Sequence, residues 1–307
     1  MVSGLRRLHF WWVRERAARA HGLTMGDGIA SGVAHLRSLC PPEDPDDREE
    51  PIFLLAAGWR SGSTLLQRCI MSDSKVLMWG EPYQESGLVQ SMAAAASAFR
   101  GDWPKPKWFQ RDTQHARLAT EWVANLFPSP EDWRLGQRAL FDVAFSRPAI
   151  RAGAIRWGIK EVRWSSDHAK YLRWLYPKCR IVFLYRNPLA AYQSYLKRGG
   201  GWYDTYPGAP VFTPTAFGRH WRRLAEGFVR DATQLDALVL RFEDVVGGRG
   251  WVDRLERHLD IRIDRSILDI KLDGAEPSAL PVALGRTERW LLRRSVSPVA
   301  KDLGYAW

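Results

Sequence analysis

The stretch PIFLLAAGWRSGSTLL, residues 51–66, joins an apolar run to a glycine loop and the start of a second apolar segment. The run 51–57 is continuously apolar, which is typical of a parallel strand buried on both faces. From Ser63 onward, the sequence STLLQRCIMS has the length and spacing of a helix. A strand, a glycine loop and a helix in succession predict the first βα unit of an α/β fold, with an anion held at the loop.

The loop departs from the pattern of nucleoside triphosphatases. Their G-x-x-x-x-G-K-[ST] pattern places lysine after the second glycine, whereas here Ser63 follows Gly62 and the nearby cation is Arg60. Gly58 and Gly62 would let the backbone approach an anion, and the N–H groups from Gly62 to Leu65 would hold it. A plain glycine turn between strand and helix is the structural alternative.

The rest of the chain continues the alternation of strands and helices. Further strands are predicted over 155–162, 181–185 and 237–242, with helices after Ser165, after Pro188 and around 217–228. This pattern predicts a P-loop-like three-layer α/β domain over residues 51–307, with a central parallel sheet flanked by helices. Residues 1–50 are an N-terminal extension that ends in an acidic, proline-rich linker. The segment 86–150 is predicted to be a helical insertion on the substrate side, at the carboxyl ends of the strands.

Composition limits the environment and the partners of the chain. Lysine and arginine exceed acidic residues by 11 in a chain of 307 residues, which favours acidic partners such as a nucleotide, a polyanionic glycan, anionic lipid or nucleic acid. The three cysteines form no C-x-x-C pair, and Cys69 and Cys179 are expected to be buried thiols of a reducing compartment. No apolar run is long enough for a membrane span. The N-terminal segment 1–22 lacks a signal-peptide core, so we expect a cytoplasmic enzyme whose N-terminus packs on the domain or touches a membrane.

A second segment points to a second anionic group. IVFLYRNPLAAYQSYLKR places Arg186 at the end of a buried strand and Ser194 two turns into the next helix. The arginine offers a forked cation suited to phosphate, and the serine a hydroxyl on the same side.

Taken together, these segments resemble the sulfotransferase family that uses 3′-phosphoadenosine 5′-phosphosulfate (PAPS). GWRSGSTLL is similar to the family's loop for the 5′-phosphosulfate, in the arginine-containing form of bacterial, glycan and tyrosylprotein members. YRNPLAAYQSYL is similar to its 3′-phosphate segment, and LVLRFEDVV and TERWLLRRSVSPVAKDLGY resemble its late strand and C-terminus. The resemblance implies that PAPS and its product PAP are held without a metal ion. The donor ligands would be Arg60, Ser61, Gly62, Ser63, Thr64, Leu65, Arg186 and Ser194.

The resemblance also suggests the catalytic residues. An acceptor hydroxyl must lose its proton as it attacks sulfur, and Glu81 in WGEPYQE is similar to the family's glutamate base. Glu85 is its neighbouring rival, and His168 and His220 are the histidine alternatives. Lys160 in RWGIKEV resembles the lysine that contacts the transferring sulfonate together with Arg60. The alternative roles here are a lysine paired with Glu161, and Arg163 in place of Lys160.

The C-terminal contacts are less specific. LPVALGRTERW offers Arg286 and Arg289 as nucleotide ligands, although the spacing departs from the family's lysine- and glycine-rich form. Trp59 is expected to pack on the sheet rather than against the nucleotide. The cluster Arg241-Phe242-Glu243-Asp244 is interpreted as a strand end with a structural ion pair.

These features predict a sulfotransferase acting on an acceptor hydroxyl. A carbohydrate or glycolipid acceptor is expected first, because the faces of tryptophan rings suit sugars, and the chain has 16 tryptophans. A tyrosyl peptide or a small metabolite is the alternative. A P-loop kinase is disfavoured by the missing lysine after Gly62. A basic nucleic-acid-binding protein is disfavoured because the aromatics form no recognisable binding module.

Overall fold

Five parallel strands form one sheet at the centre of the protein, in the order β2-β3-β1-β4-β5. The structure is a computed structural model. It describes residues 9, 11–13, 28–41, 49–83, 86–99, 103–110, 120, 123–197, 211, 213–248, 250–268 and 283–305. The strands are β1 (Ile52–Ala56), β2 (Val76–Trp79), β3 (Arg156–Glu161), β4 (Arg180–Tyr185) and β5 (Ala237–Arg241).

Helices connect the strands. In chain order they are α1 (Ile29–Leu39), α2 (Ser63–Ile70), α3 (Leu88–Ala95), α4 (Pro130–Phe141), α5 (Arg147–Arg151), α6 (Ser166–Leu175), α7 (Pro188–Lys197), α8 (Pro214–Asp231), α9 (Phe242–Gly247), α10 (Gly250–Leu259), α11 (Arg286–Val296) and α12 (Val299–Asp302). Short 3-10 turns lie at Ala96–Ala98, Pro106–Trp108 and Arg265–Leu268, and a π-helical turn at Asp142–Ser146 continues α4. None of the described helices is long and apolar enough to cross a membrane.

The position of β1 at the centre of the sheet fixes where a ligand can bind. All five residues of β1 are buried, as its apolar sequence requires, and the strand pairs with β3 on one side and β4 on the other. The chain runs from β1 outward to β2, returns to β3, and then crosses β1 to reach β4. Right-handed crossovers then place α2 on one face and α6 to α8 on the other. The predicted three-layer α/β fold is confirmed, and its strand order reverses beside the loop after β1.

The hydrophobic core begins before the proline-rich linker. Helix α1 buries Ile29, Val33 and Leu36 and packs against α6 and the turn at Ala96–Ala98. A Cβ at Gly32 would lie 1.8 Å from the Ala96 carbonyl oxygen, so this helix can approach the turn only with glycine there. Part of the N-terminal extension therefore packs on the α/β domain, although the sequence predicts that the domain starts near residue 51.

The segment between β2 and β3 reaches both ends of the sheet. Arg134 of α4 donates a hydrogen bond to the Leu175 carbonyl oxygen at 3.2 Å, at the end of α6 that precedes β4. The π-helical turn lies beside β2, where Trp79 Nε1 donates to the Phe145 carbonyl oxygen at 3.0 Å. Helix α4 thus lies near the amino ends of the strands, whereas the turn that follows it extends toward their carboxyl ends. A substrate-binding role for this segment stays a prediction.

Candidate active site

The loop after β1 exposes a run of backbone N–H groups at the start of α2. Gly58, Arg60 and Gly62 all have positive φ angles, of 81°, 60° and 89°. Among the described residues, the N–H groups of Ser61 to Thr64 have no backbone acceptor. These groups add to the positive end of the helix dipole, so the loop is a site for an anion. The loop that the sequence predicted is present, and its role in binding an anion stays a prediction.

Gly62 is required by its surroundings as well as by its φ angle. A Cβ at this position would lie 2.2 Å from atoms of the Phe242 ring. Phe242 begins α9 directly after the edge strand β5, so the loop after the central strand β1 and the start of α9 meet here through one aromatic contact.

Three polar side chains form a cationic cluster beside the loop. Arg60 Nε donates to Ser194 Oγ at 3.1 Å, and Arg186 Nη1 donates to the Arg60 carbonyl oxygen at 2.9 Å. The Arg186 guanidinium also lies over the Phe242 ring, 4.3 Å from its centroid. Arg60, Arg186 and Ser194, which the sequence placed in two separate motifs, are thus brought together next to the N–H groups of the loop.

The polar groups of this cluster are not fully satisfied by the protein. Burial lowers the pKa of Arg186, Glu243 opposes that shift, and the second guanidinium of Arg60 adds to it. The Arg186 Nε and the Ser61 Oγ are buried and have no hydrogen-bond partner within the described part of the chain. Buried donors without partners, held close to like charges, fit an anionic ligand that would supply the missing acceptors.

A carboxylate fixes the backbone around Arg186. Glu243 Oε1 accepts from the Asn187 N–H at 2.9 Å, and its Oε2 accepts from the Tyr305 hydroxyl at 2.9 Å. The Trp221 indole N–H donates to the Arg186 carbonyl oxygen, also at 2.9 Å. The predicted ion pair of this cluster is present, with Arg241 Nε 3.3 Å from Glu243 Oε2, and it has the further task of positioning Arg186.

A second group of charges lies at the carboxyl ends of β2 and β3. Lys160 Nζ donates to Glu81 Oε1 at 2.7 Å, and Arg163 Nη2 lies 4.0 Å from Glu81 Oε2. The side chains of Lys160 and Glu81 are 8% and 20% exposed, so the pair is reachable but largely desolvated. The predicted base and the predicted sulfonate lysine are therefore neighbours. The rival Glu85 lies outside the described residues.

Arg163 and Glu161 form a separate buried pair beneath them. The guanidinium of Arg163 makes two hydrogen bonds of 2.8 Å to the Glu161 carboxylate, which also accepts from the Val162 N–H. Burial raises the pKa of Glu161, and the bonds from Arg163 lower it. Because Glu161 is engaged in this way, the alternative pairing of Lys160 with Glu161 is wrong. Glu161 thus pairs with Arg163, and Lys160 pairs with Glu81.

The two histidine alternatives are buried, and the Nε2 atom of each has no hydrogen-bond partner within the described part of the chain. His168 Nδ1 lies 3.0 Å from Ser165 Oγ at the start of α6, and His220 stacks on Trp59 with ring centroids 4.9 Å apart. Burial lowers the pKa of each to about 3. Trp59 is itself fully buried, so the expectation that it packs on the sheet is confirmed.

The C-terminal arginines are not brought to the loop by any described contact. Arg286 and Arg289 are exposed in the first turn of α11, where Gly285 N–H donates to Glu288 Oε2 at 2.8 Å. Their role as nucleotide ligands stays a prediction.

Sequence reasoning missed two aromatic residues of the site. Phe242 lies between Gly62 and Arg186. It reaches this position because β5 pairs with β4, and the sequence alone does not show that pairing. Tyr83 follows the base by two residues, is 60% exposed, has a φ angle of 55° and packs against Phe145 at 6.0 Å. A tyrosine immediately after Glu81-Pro82 was the available signal for an aromatic surface beside the base.

Comparison with known proteins identifies the family of the chain. The model of the sulfotransferase family matches residues 51–265, which include both charge groups. The chain therefore belongs to the sulfotransferase family, and its activity is that of a sulfotransferase. No curated protein gave a significant match.

Several solved sulfotransferase structures are similar to the chain at low identity. The sulfotransferase domain of the Synechococcus PCC 7002 olefin synthase is 18% identical, with a TM-score of 0.46, over 86% of this chain and 98% of that one. A sulfotransferase from Alicyclobacillus acidocaldarius is 15% identical, with a TM-score of 0.43, over 84% and 97%. Mouse sulfotransferase SULT7A1, complexed with PAP, is 14% identical, with a TM-score of 0.34, over 90% and 83%. The family assignment rests on the family-model match.

Proposed function

We propose that the protein transfers a sulfuryl group from PAPS to the hydroxyl of a carbohydrate or glycolipid. The observation that carries the choice of donor is the cluster of Arg60, Arg186 and Ser194 beside the free N–H groups of the loop. Two anion sites in contact fit a nucleotide with one phosphate on each side of its ribose. A donor with a single chain of phosphates would engage the loop but leave the second site unused.

The residues of the loop would hold the 5′-phosphosulfate. The N–H groups of Ser61 to Thr64, with Leu65 completing the first turn of α2, face the anion, and the Ser61 hydroxyl supplies a further donor. Arg186 and Ser194 would hold the 3′-phosphate. Arg60 lies between the two sites, since its side chain bonds Ser194 while its backbone belongs to the loop. When bound, PAPS supplies an activated sulfuryl group on a phosphate leaving group.

Glu81 and Lys160 are placed to handle the proton and the charge. In the structure Lys160 Nζ donates to Glu81 Oε1 at 2.7 Å, so a carboxylate that could accept the acceptor's proton and an ammonium that could bind the sulfonate lie side by side. A negatively charged ligand beside Lys160 competes for the same ammonium. As Lys160 turns toward it, the Glu81 carboxylate is released to accept the proton of the acceptor hydroxyl. Lys160 and Arg60 then stabilise the charge that develops on the transferring group and the leaving phosphate.

The acceptor would approach from the side of β2. Tyr83 exposes its ring two residues from Glu81, backed by Phe145, and so offers a flat apolar face beside the base. Such a face suits the C–H side of a sugar ring, which supports a carbohydrate or glycolipid acceptor. The same ring could stack on a tyrosyl peptide or a phenolic metabolite, so the acceptor screen described below includes these compounds.

The competing kinase function lacks its main cation. Ser63 stands where a P-loop kinase has lysine. Arg186 and Ser194 also have no evident partner on a nucleoside triphosphate.

The experiment is an acceptor screen with isotopically labelled PAPS, read by mass spectrometry. Neutral oligosaccharides, glycolipids, tyrosyl peptides and phenols are each incubated with the protein and with its Glu81→Gln variant. The proposal predicts a sulfated sugar or glycolipid that forms with the wild type only. If a sulfated peptide or a sulfated phenol forms instead, the acceptor is a tyrosyl peptide or a phenol and not a carbohydrate or glycolipid. Transfer from ATP in place of PAPS would overturn the choice of donor.

A further inference from the structure

A groove of about 790 Å³ lies on the outer side of the domain, between α8 and α11. Residues 11 and 12, in the described part of the N-terminal segment, complete one wall. Its lining includes Trp11, Trp12 and Trp290 together with Arg219, Arg222 and Arg294. Its size is that of a small-ligand site, and nothing in the proposed transfer reaction uses it.

Helix α8 separates this groove from the donor site. Phe217, His220 and Trp221 are on the buried face of the helix, where they contact Trp59 and the backbone of Arg186. Arg219 and Arg222 are exposed on the other face. An α-helix with side chains is about 10 Å across, so the groove and the donor loop are distinct sites on opposite sides of one helix.

The groove is cationic and bordered by exposed indoles. None of the described residues that line it is acidic, whereas three are arginines. Trp12 and Trp290 are 58% and 55% exposed, and the Arg294 guanidinium lies 5.4 Å from the centroid of the Trp290 ring. The groove therefore combines exposed aromatic rings with positive charge, a combination that suits a partner with both an apolar and an anionic part.

We propose that this groove docks the protein on an anionic membrane surface, with a lipid head group in contact with the arginines. Tryptophan favours the interface between lipid and water, where its ring is buried and its N–H stays hydrated. Arginine lays its apolar stem on the lipid and its charge on the phosphate. A soluble polyanion would satisfy the arginines but would leave Trp12, Trp290 and the neighbouring exposed Val13 in water. A membrane would contact the arginines and also cover the exposed apolar residues. It would in addition present a glycolipid acceptor to the same protein.

The test is co-sedimentation of the full chain with vesicles of phosphatidylcholine, with and without phosphatidylglycerol. The wild type should pellet with the anionic vesicles only, and less so as salt is raised. Each arginine near an anionic surface strengthens binding about fivefold, so Arg219→Ala with Arg222→Ala should weaken partitioning about 25-fold. The matched control is Arg254→Ala with Arg257→Ala, which removes the same charge from exposed positions on α10.

The tryptophans distinguish a membrane from a soluble polyanion. Trp290→Ala should weaken vesicle binding several-fold and leave retention on a heparin-type oligosaccharide or on DNA unchanged. Melting temperatures near the wild-type value establish that each variant is folded. Equal binding to neutral and anionic vesicles would overturn the proposal, as would equal losses in the two arginine pairs. Retention on the soluble polyanion without vesicle binding would assign the groove to a soluble partner instead. None of these readouts depends on sulfuryl transfer.

Discussion

On the β4 side of the site, Arg60 bonds the Ser194 hydroxyl, and Arg186 bonds the Arg60 carbonyl oxygen and lies over the Phe242 ring. The one carboxylate acting on Arg186, that of Glu243, is shared with Arg241, so cations outnumber carboxylates among these residues. On the β3 side, Lys160 is held directly by the carboxylate of Glu81. The first half therefore keeps an excess of positive charge toward its ligand. The second half is neutral in itself until a ligand competes for the lysine.

The difference separates binding from chemistry. A preformed cationic site with unsatisfied donors holds an anion without rearrangement, so its residues should determine donor affinity. Glu81 and Lys160 change their interaction only when the proton and the sulfuryl group are transferred. These two residues should therefore determine turnover. If the two halves work in this way, variants in one half should leave the other half's measurement unchanged.

The largest effect is expected from Glu81→Gln. Glutamine keeps the shape of the side chain but accepts no proton, so turnover should fall by roughly two to four orders of magnitude. PAP affinity, measured by calorimetry, should stay within about twofold, since the carboxylate faces Lys160 and not the loop. Glu85→Gln is the control and should lose little. If Glu85→Gln is the inactive variant instead, the base is misassigned. A large loss of PAP affinity in Glu81→Gln would break the separation of the halves.

Arg186→Ala should produce the next largest effect, on binding. A hydrogen bond to a charged group contributes about 1.5–3 kcal/mol, so PAP should bind about ten- to a hundred-fold more weakly. Adenosine 5′-phosphate, which lacks the 3′-phosphate, should be affected much less. Both ligands are titrated against the wild type and the variant. Equal losses for the two ligands would remove Arg186 from the 3′-phosphate site.

The pH dependence of stability tests the role of His220, which stacks on Trp59 beneath the loop. Its folded pKa of about 3 is below the ordinary value of 6.5, so the unfolded chain takes up a proton that the folded chain does not. Stability is thus complete above pH 6.5 and falls as the pH drops toward 3. From pH 7 to 5, the free energy of unfolding should fall by about 2 kcal/mol for this group.

His220→Phe is the matched variant for that measurement. Phenylalanine keeps a ring against Trp59 but cannot titrate, so the fall in unfolding free energy between pH 7 and 5 should shrink by the same amount. Denaturant titrations at the two pH values measure it. An unchanged pH slope would contradict a neutral buried histidine and reopen its role as a base.

The smallest effect concerns Gly62→Ala. Alanine at a φ of 89° is strained by about 1–2 kcal/mol, and its Cβ would meet the Phe242 ring. We expect a lower melting temperature together with weaker PAP binding, because the loop and the Arg186 segment share Phe242. Gly136→Ala in α4 is the control, since a Cβ there has no atom within 4 Å, and it should raise stability by about 0.5–1 kcal/mol. A Gly62→Ala variant with normal affinity would show that the ring does not couple the two anion sites.

Local patterns in the sequence predicted the fold well. The apolar run of β1, the capping serine Ser165 and the proline at the start of α7 all act within a few residues of one another, and each element lies where it was expected. The position of the loop followed from the same periodicity. Its chemical role, and that of Glu81, came from the resemblance of whole motifs.

The contacts that define the site could not be predicted in this way. Glu81 and Lys160 are 79 residues apart, and Arg60 and Ser194 are 134 apart. They meet because β3 and β4 lie on either side of β1, and no local pattern encodes that order. Lys160 and Glu161 are adjacent in β3 and so face opposite sides of the sheet, but which charged groups lie on each side depends on how the chain continues to Arg163 and where Glu81 lies. The packing of α1 depends on one close approach at Gly32.

The central claim is that the loop and the Arg186 segment together hold a nucleotide with a 3′-phosphate. The most direct measurement is calorimetric titration of PAP in the presence of a metal chelator, compared with ATP and Mg²⁺. Mass action requires that a ligand binding the folded protein also raises its melting temperature. We predict one PAP per chain, an affinity that the chelator does not change, and much weaker binding of ATP with Mg²⁺. Tight binding of ATP with Mg²⁺ and little binding of PAP would contradict the account.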